Sequence, residues 1–434
     1  MIIHRVLLTL IATSLPLAVP PIALSQAVER DHAVYVEQTK YPVLKEMKET
    51  NETLRKTAQE KTDKILEEIK KTRKEKKDTR PEFRPEISAI DAPVGPEVFD
   101  QAWHFPPTPQ YLTGTCWSFS VTSFIESEVA RRHGDHIKLS EMWTAYWEYI
   151  EKAKAYIETR GESVFEQGSE SNAFQHIFKT YGIVPRAAYE GVLAADGRFN
   201  HELMFGQMKA FLEWCRERNI WNEELIIGSL RQILDTWMGP PPKSFSWQGV
   251  HYTPHEFLSK VVKINPDDYL SLMSTSSLPF YTRGEFEVPD NWWHDKSYIN
   301  LPLDEWYAIV LKALDSGATL TLGGDVSEPG LYGRYDIAFV PSFDIPTSMI
   351  DQDAREMRIC NGTTTDDHGV HLVGHLRHAG HDWFLIKDSN RSSRAGRFKG
   401  YYMYRDDYLR LKMLTVGLHK DFVGDLLGRV APRP

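Results

Sequence analysis

Cysteine is scarce. Three occur in 434 residues, with no Cys-x-x-Cys pair and no Cys/His finger spacing, which excludes a disulfide-framework fold and a structural zinc site of that kind. Any sulfur chemistry therefore belongs to individual thiols. A surplus of positive charge is missing too: 51 lysines and arginines face 60 aspartates and glutamates, for a formal charge of −9. No strongly basic domain stands out, so nucleic acid is not an expected partner. After the first 27 residues no run is apolar enough to cross a bilayer, and no internal repeat is evident. The one proline cluster, Gly239-Pro240-Pro241-Pro242, is too short for a polyproline ligand and reads as a turn between helical pieces. What is present, 41% hydrophobic and 26% charged residues, is an ordinary globular composition on a chain longer than one average domain.

The first 27 residues read as an address. Arg5 precedes an apolar run from Val6 to Val19. Pro20-Pro21 and the small-residue stretch Ala23-Leu24-Ser25-Gln26-Ala27 follow, which is the order of a secretory signal peptide. The mature chain is expected to begin near Val28, in a periplasm or outside the cell, with no membrane span once the signal is removed. Residues 28–84 then change to Lys, Glu and Thr. Leu44, Met47, Asn51, Leu54, Ala58 and Ile65 fall near a/d spacing, which predicts a long charged helix from Val43 to about Lys77 with too narrow an apolar stripe to form a domain. Arg80-Pro81 and Arg84-Pro85 end it in a linker. A propeptide, a coiled-coil arm and an oligomer contact all fit this segment.

The main body, residues 85–420, is expected to be α+β with helices first and strands late, followed by a tail over 421–434. Helical periodicity covers Cys116–Arg132, Glu141–Thr159, Ser171–Tyr181, Glu202–Arg218, Glu223–Trp237, Pro254–Lys263 and Leu303–Ser316. Strand-like runs follow at Thr319–Gly323, His371–Leu376, Trp383–Lys387 and Lys412–Gly417.

Two clusters carry the chemistry. In Gln110-Tyr111-Leu112-Thr113-Gly114-Thr115-Cys116-Trp117-Ser118, Gly114 breaks the chain and Cys116 falls on the first turn of a helix. Unpaired N–H groups and the positive end of the helix dipole there favour thiolate over thiol. A cysteine nucleophile needs a base within hydrogen-bond reach, and the base needs a third group to hold its ring. His368, in Asp367-His368-Gly369-Val370-His371-Leu372-Val373-Gly374, supplies the first, and Asp388, in Ile386-Lys387-Asp388-Ser389-Asn390, the second. The Gln110 amide can join the Cys116 backbone N–H in an oxyanion hole. Cys215 reads as core packing and Cys360 as a loop thiol, and in an oxidising compartment those two could pair.

Here the chain resembles papain-like cysteine peptidases. Their Gln-x5-Cys-Trp, Asp-His-Ala-Val with a following Val-Gly, and Ile-Lys-Asn-Ser match the segments just quoted, in the order Cys, His, Asn/Asp. The 252 residues from Cys116 to His368 far exceed the ~130–150 of compact papains. Ile227–Asp235, Gly239–Trp247, Tyr252–Phe257, Lys179–Pro185 and Gly317–Val326 are similar to the helical insert and neighbouring segments of the bleomycin hydrolase and bacterial aminopeptidase C branch. The resemblance implies a two-lobed papain-like fold with a helical insert at about 200–265 and thiol peptidase activity on a peptide or protein substrate. It also implies aminopeptidase action and often a hexameric ring, so a homo-oligomer stays open. It requires no cofactor or metal. This chain departs from the pattern in having Asp388 for Asn, Asn390-Arg391 for Trp-Gly, and a tail ending Arg-Val-Ala-Pro-Arg-Pro. Glu166-Gln167-Gly168-Ser169-Glu170-Ser171 resembles the glycine-rich wall of the papain substrate cleft, and a helix N-cap at Ser169 or Ser171 explains it equally.

Other readings of the same residues stand beside this one. A metal site would draw on His368, His371, His375, His378 and His381, but on a regular strand His371 and His375 share one face while His368 takes the other, and a histidine-rich surface turn accounts for the rest. Asp325 and Trp292-Trp293 read as turn and core. An inactive papain-like binding or scaffold protein, or a thiol acyltransferase with the same triad, would carry these motifs too.

Overall fold

The computed structural model describes residues 30–38, 41–88, 90–192, 194–424 and 426–431. The expected signal peptide and the last three residues lie outside them. The chain divides into two units, Met1–Glu82 and Phe83–Pro434. In the first, α1 (Pro42–Asp78) runs for 37 residues with none buried. Pro42 starts it, where its missing N–H would have no intrahelical partner, and Lys76 and Lys77 stand at the negative end of the helix dipole. Leu44, Met47, Leu54 and Ile65, the apolar stripe read from the sequence, are exposed.

The second unit opens with β1 (Asp100–Gln101), and α2 (Cys116–His133), α3 (Glu141–Glu158), α4 (Ala173–Tyr181), α5 (Glu202–Glu217) and α6 (Glu223–Met238) follow. The hairpin of β2 (Phe245–Trp247) and β3 (Val250–Tyr252) leads to α7 (Pro254–Phe257), which widens to π geometry over Leu258–Val262. The chain then alternates through β4 (Tyr269–Met273), β5 (Thr282–Gly284), β6 (Tyr298–Asn300), α8 (Leu303–Asp315), β7 (Leu320–Gly324), β8 (Leu331–Tyr332), β9 (Ile337–Ala338) and α9 (Gln352–Cys360). It ends in β10 (His368–His378), β11 (His381–Lys387), β12 (Tyr401–Arg405), α10 (Asp406–Lys412) and β13 (Met413–His419).

Helices and strands build separate cores. Trp143, Phe124, Phe178, Leu212 and Leu230 pack together in a helical lobe; residues 202–262 of the insert complete it. Apart from the β2–β3 hairpin, the strands form one sheet in the order β5-β6-β4-β13-β7-β10-β11-β12-β9-β8, with β1 added beside β10. Trp306 on α8 packs with Leu320, Val370, Phe384 and Tyr404 on one side of that sheet. Phe99, Val373, Trp383 and Leu385 form a smaller cluster. Each large side chain so buried contributes about 1.5–3 kcal/mol. Phe422, Val423, Leu426 and Val430 belong with the sheet lobe, where they join the α8 core.

Arg355 on α9 is an unusual core member. It is fully buried, and its guanidinium donates to the carbonyls of Ser274, Arg410, Met413 and Leu414 at 2.7–3.0 Å. Burial pulls its pKa down to about 9. It thereby joins the ends of β4 and α10 to the start of β13. Arg355→Met would leave those carbonyls without a donor at about 1–3 kcal/mol each before relaxation. Chemical denaturation should report a loss of about 1–3 kcal/mol; an unchanged midpoint would show that the clamp is dispensable.

The structure corrects several expectations. The 269–273, 298–300 and 401–405 strands and the α9 and α10 helices were not read from the sequence. Cys360 ends α9 instead of lying in a loop, and all three thiols are free. Cys215 sits in the helical-lobe core while Cys360 is exposed on α9, so the pair suggested for an oxidising compartment is not formed. His371 and His375 do not share a face. Opposite β11 the register of β10 shifts between Leu372 and Gly374, and this bulge reverses the alternation beyond it. His371 then meets Ser123 on α2 at 2.8 Å, while His375 stacks on Phe384 and pairs with Asp382 at 3.1 Å.

Candidate active site

The site forms where α2 meets β7 and β10. Thr115 precedes the helix with its carbonyl already accepting from Ser118 and Phe119, so Cys116 is the first helical residue. The turn before it is held from a distance: Gly114 N–H donates to Gln167 Oε1 at 2.8 Å, and the Trp117 indole N–H donates to the Gln167 carbonyl at 3.1 Å. Every residue from Trp117 to Val129 is buried, whereas Cys116 is half-buried. The helix therefore offers its sulfur from a fixed base. Gly369 permits the close approach of β10, because a methyl group there would sit 3.2 Å from Trp117 Cα.

His368 is the first residue of β10 and Asp388 the first after β11, so the pairing of those two antiparallel strands brings them together. His368 Nε2 and Asp388 Oδ1 are 2.7 Å apart. That leaves Nδ1 for the Cys116 side chain, which lines the same cavity. Burial opposes protonation of the imidazole, but the Asp388 carboxylate and the Cys116 sulfur outweigh it and hold His368 well above its ordinary value. Asp388 is itself anchored: its N–H donates to Gly400 O at 2.8 Å and its Oδ1 also accepts from Asn390 N–H at 2.9 Å. Where the papain pattern has an indole after the triad, Asn390 supplies a backbone donor to the carboxylate.

Gln110 is buried beside these groups. Its N–H donates to Ser389 O at 3.0 Å, its Oε1 accepts from Ser389 Oγ at 2.7 Å, and its Nε2 donates to Thr113 O at 2.7 Å. The carboxamide plane is thus fixed, with the second Nε2 hydrogen outside these bonds. Four residues named from the sequence, Cys116, His368, Asp388 and Gln110, are gathered on three neighbouring segments.

Sequence reasoning missed the supports behind them. Lys387 donates to Ser123 Oγ at 2.6 Å, and Ser123 Oγ lies 2.8 Å from His371 Nδ1. Burial lowers Lys387 to about 8, and burial with the Lys387 charge keeps His371 well below its usual range. This chain of contacts ties α2 to the strand ends that carry His368 and Asp388. Gln167, Glu170 and Asp290 also converge on the site. Gln167 and Glu170 stood in the segment read as a cleft wall, whereas Asp290, 174 residues after Cys116, had no nearby signal. Among the described residues no group of three or more His, Cys, Asp or Glu side chains is placed to hold a metal ion, and no helix is long and apolar enough to cross a membrane. His375, His378 and His381 instead pair with Asp382, Asp91 and Asp406 around the β10–β11 hairpin.

A helix-borne thiol beside a strand-borne imidazole, between a helical and a sheet lobe, defines a papain-like cysteine-type peptidase. Residues 94–431 match the Peptidase C1-like family, and the chain belongs to it. It is 22% identical over 361 residues to Aminopeptidase C of Lactococcus lactis subsp. cremoris, covering 74% of this chain and 82% of that one. Aminopeptidase C of Lactobacillus helveticus is also 22% identical, over 368 residues, 73% of this chain and 80% of the relative. Cysteine proteinase 1, mitochondrial, of Saccharomyces cerevisiae is 24% identical over 257 residues, about half of each chain. The crystal structure of PepW from Lactobacillus rhamnosis HN001 shares the fold, with a TM-score of 0.61 at 17% identity over 77% of this chain and 84% of that one.

Proposed function

We propose that this protein is an exported thiol peptidase that cleaves peptide bonds through an acyl-enzyme and removes residues from free N-termini. One observation carries the chemistry: the buried His368 ring, bonded through Nε2 to Asp388, shares a cavity with the Cys116 sulfur, which raises its pKa together with Asp388. The Cys116 sulfur attacks the peptide carbonyl and His368 gives its proton to the departing amine. A water then loses a proton to His368, attacks the thioester and releases the acid. Asp388 holds the ring and favours imidazolium, and the Cys116 N–H with the Gln110 amide faces the oxyanion. Similarity to two aminopeptidases C supports the exopeptidase reading. The apolar run and small-residue stretch before Val28 support export.

Product mass spectra from matched free-amine and N-acetylated peptides test the activity. Stepwise shortening of the free-amine peptides alone is expected; internal cuts in both would make the protein an endopeptidase, and a ligated product would make it an acyltransferase. N-terminal sequencing of the protein recovered from its source should begin near Val28. An intact Met1 would refute export by this signal.

A further inference from the structure

The cavity that receives the Cys116 sulfur and the His368 ring is closed on its far side by acids that the proposed mechanism does not use. Glu170, Asp366 and Asp290 line it together with Cys116, Trp117 and His368. Glu170 is 4% exposed. Its Oε2 accepts from the Tyr298 hydroxyl at 3.1 Å. Asp366 Oδ1 is sealed from solvent and has no donor among the described residues. Both oxygens converge over Gly323 beside the Thr415 hydroxyl, where a methyl group would lie 2.6 Å from Thr415 Oγ1, 3.2 Å from Asp366 Oδ1 and 3.9 Å from Glu170 Oε2. Two buried carboxyls that face each other need a shared proton or a cation. The ammonium of Lys152, which acts on Asp290, is committed elsewhere: it donates to the carbonyls of Glu166 and Gly168.

We propose that Glu170 and Asp366 form a cation subsite beside Cys116 that takes an ammonium group of the peptide substrate. This deepens the peptidase reading and rests on it. With no Cβ at Gly323 or Gly168, polar side chains close in over both: the Thr415 hydroxyl and the Asp366 carboxylate over Gly323, and the Asp290 carboxylate over Gly168. Asp290 folds over Gly168, where an added methyl would collide with its carboxylate, and supplies a further negative charge. Burial raises both members of the pair above the usual carboxylate range, Glu170 to about 7. An entering ammonium would replace the proton they share, and each hydrogen bond it forms would be charge-assisted. The ammonium is either the α-amine of a free peptide or a lysine side chain near the scissile bond; the chemistry is the same and the substrates separate them.

The test uses the full mature chain, its Glu170→Gln and Asp366→Asn variants, and three matched fluorogenic peptides: free-amine with norleucine beside the scissile residue, N-acetylated with norleucine, and N-acetylated with lysine. Wild type should favour at least one cationic peptide over the neutral one by 30-fold or more in kcat/KM. Either variant should lose that preference, read as the ratio of kcat/KM between cationic and neutral peptides. Loss confined to the free-amine peptide identifies the α-amine, and loss confined to the lysine peptide identifies the side chain. Equal rates on all three by wild type, or an unchanged preference in both variants, overturns the subsite. A binding readout independent of turnover keeps the two readings distinguishable. A free-amine or lysine-containing dipeptide amide should slow iodoacetamide modification of Cys116 in wild type and not in the variants. If protection is seen without hydrolysis, the peptidase reading fails and the subsite stands.

Discussion

Cys116→Ala is expected to cut peptide hydrolysis by about 10⁴-fold or more, because removing the attacking atom leaves only the binding and oxyanion contributions. The substitution should cost the fold little, since the sulfur is half-buried and the helix behind it is held by Trp117 to Val129. Peptide mapping after brief iodoacetamide treatment would separate Cys116 from the exposed Cys360 and the buried Cys215. Modification of Cys116 should abolish activity in step with its extent. Equal product spectra from wild type and Cys116→Ala would end the acyl-enzyme reading and favour a papain-like binding protein.

Asp388 carries the second large effect, and two substitutions divide its roles. Asp388→Ala removes both the hydrogen bond to His368 Nε2 and the acceptor for Asn390, so the ring loses its orientation; kcat should fall by about 10³–10⁴-fold. Asp388→Asn keeps an oxygen at that position, as the papain pattern does, and removes only the charge. That charge is a main cause, against burial, of the raised pKa of His368. A histidine raised in the folded state contributes stability that is complete below its unfolded value of about 6.5 and disappears as pH rises through the folded value. Activity through an imidazolium follows the same limb. The basic limb of kcat/KM in Asp388→Asn should therefore move to lower pH, by about one unit or more. Superimposable basic limbs in wild type and Asp388→Asn would show that the carboxylate does not set the proton's hold on His368.

The helical half of this molecule was more legible than the sheet. Cys116–Arg132, Glu141–Thr159, Glu202–Arg218 and Glu223–Trp237 end within one residue of the helices in the structure. Their apolar periodicity is long, and their ends carry turn chemistry such as Gly134, which takes a positive φ of 73° after α2. β4, β6 and β12 went unread because each is only three to five residues long, too short for alternation to stand out. β6 is buried throughout, so it alternates nothing. The bulge at Val373 was invisible for a different reason: the register is set by β11 across the sheet and by no residue of β10 itself.

At the site the legible part was the part written in local motifs. Cys116 announced itself by a helix start, and His368 and Asp388 by the strands they flank. Asp366 was legible only as a neighbour of His368, and its meaning depends on Glu170, 196 residues earlier, and on the absence of a side chain at Gly323. The Ser123–His371–Lys387 contacts join residues 248 and 264 positions apart. Such groupings follow from topology, and no single segment contains them.

The burial of α2 bears on how this protein fails. Local opening is easiest where few apolar contacts are made, and the helix carrying Cys116 lies at the opposite extreme, packed along Trp117 to Val129 and against β7 and β10. Exchange of the amide protons from Val121 to Val129 is expected to need large-scale opening of the fold. The geometry of the thiol and the imidazole should then survive fraying of loops and ends and vanish in a single cooperative event, making catalytic half-life on heating a direct clock of global unfolding.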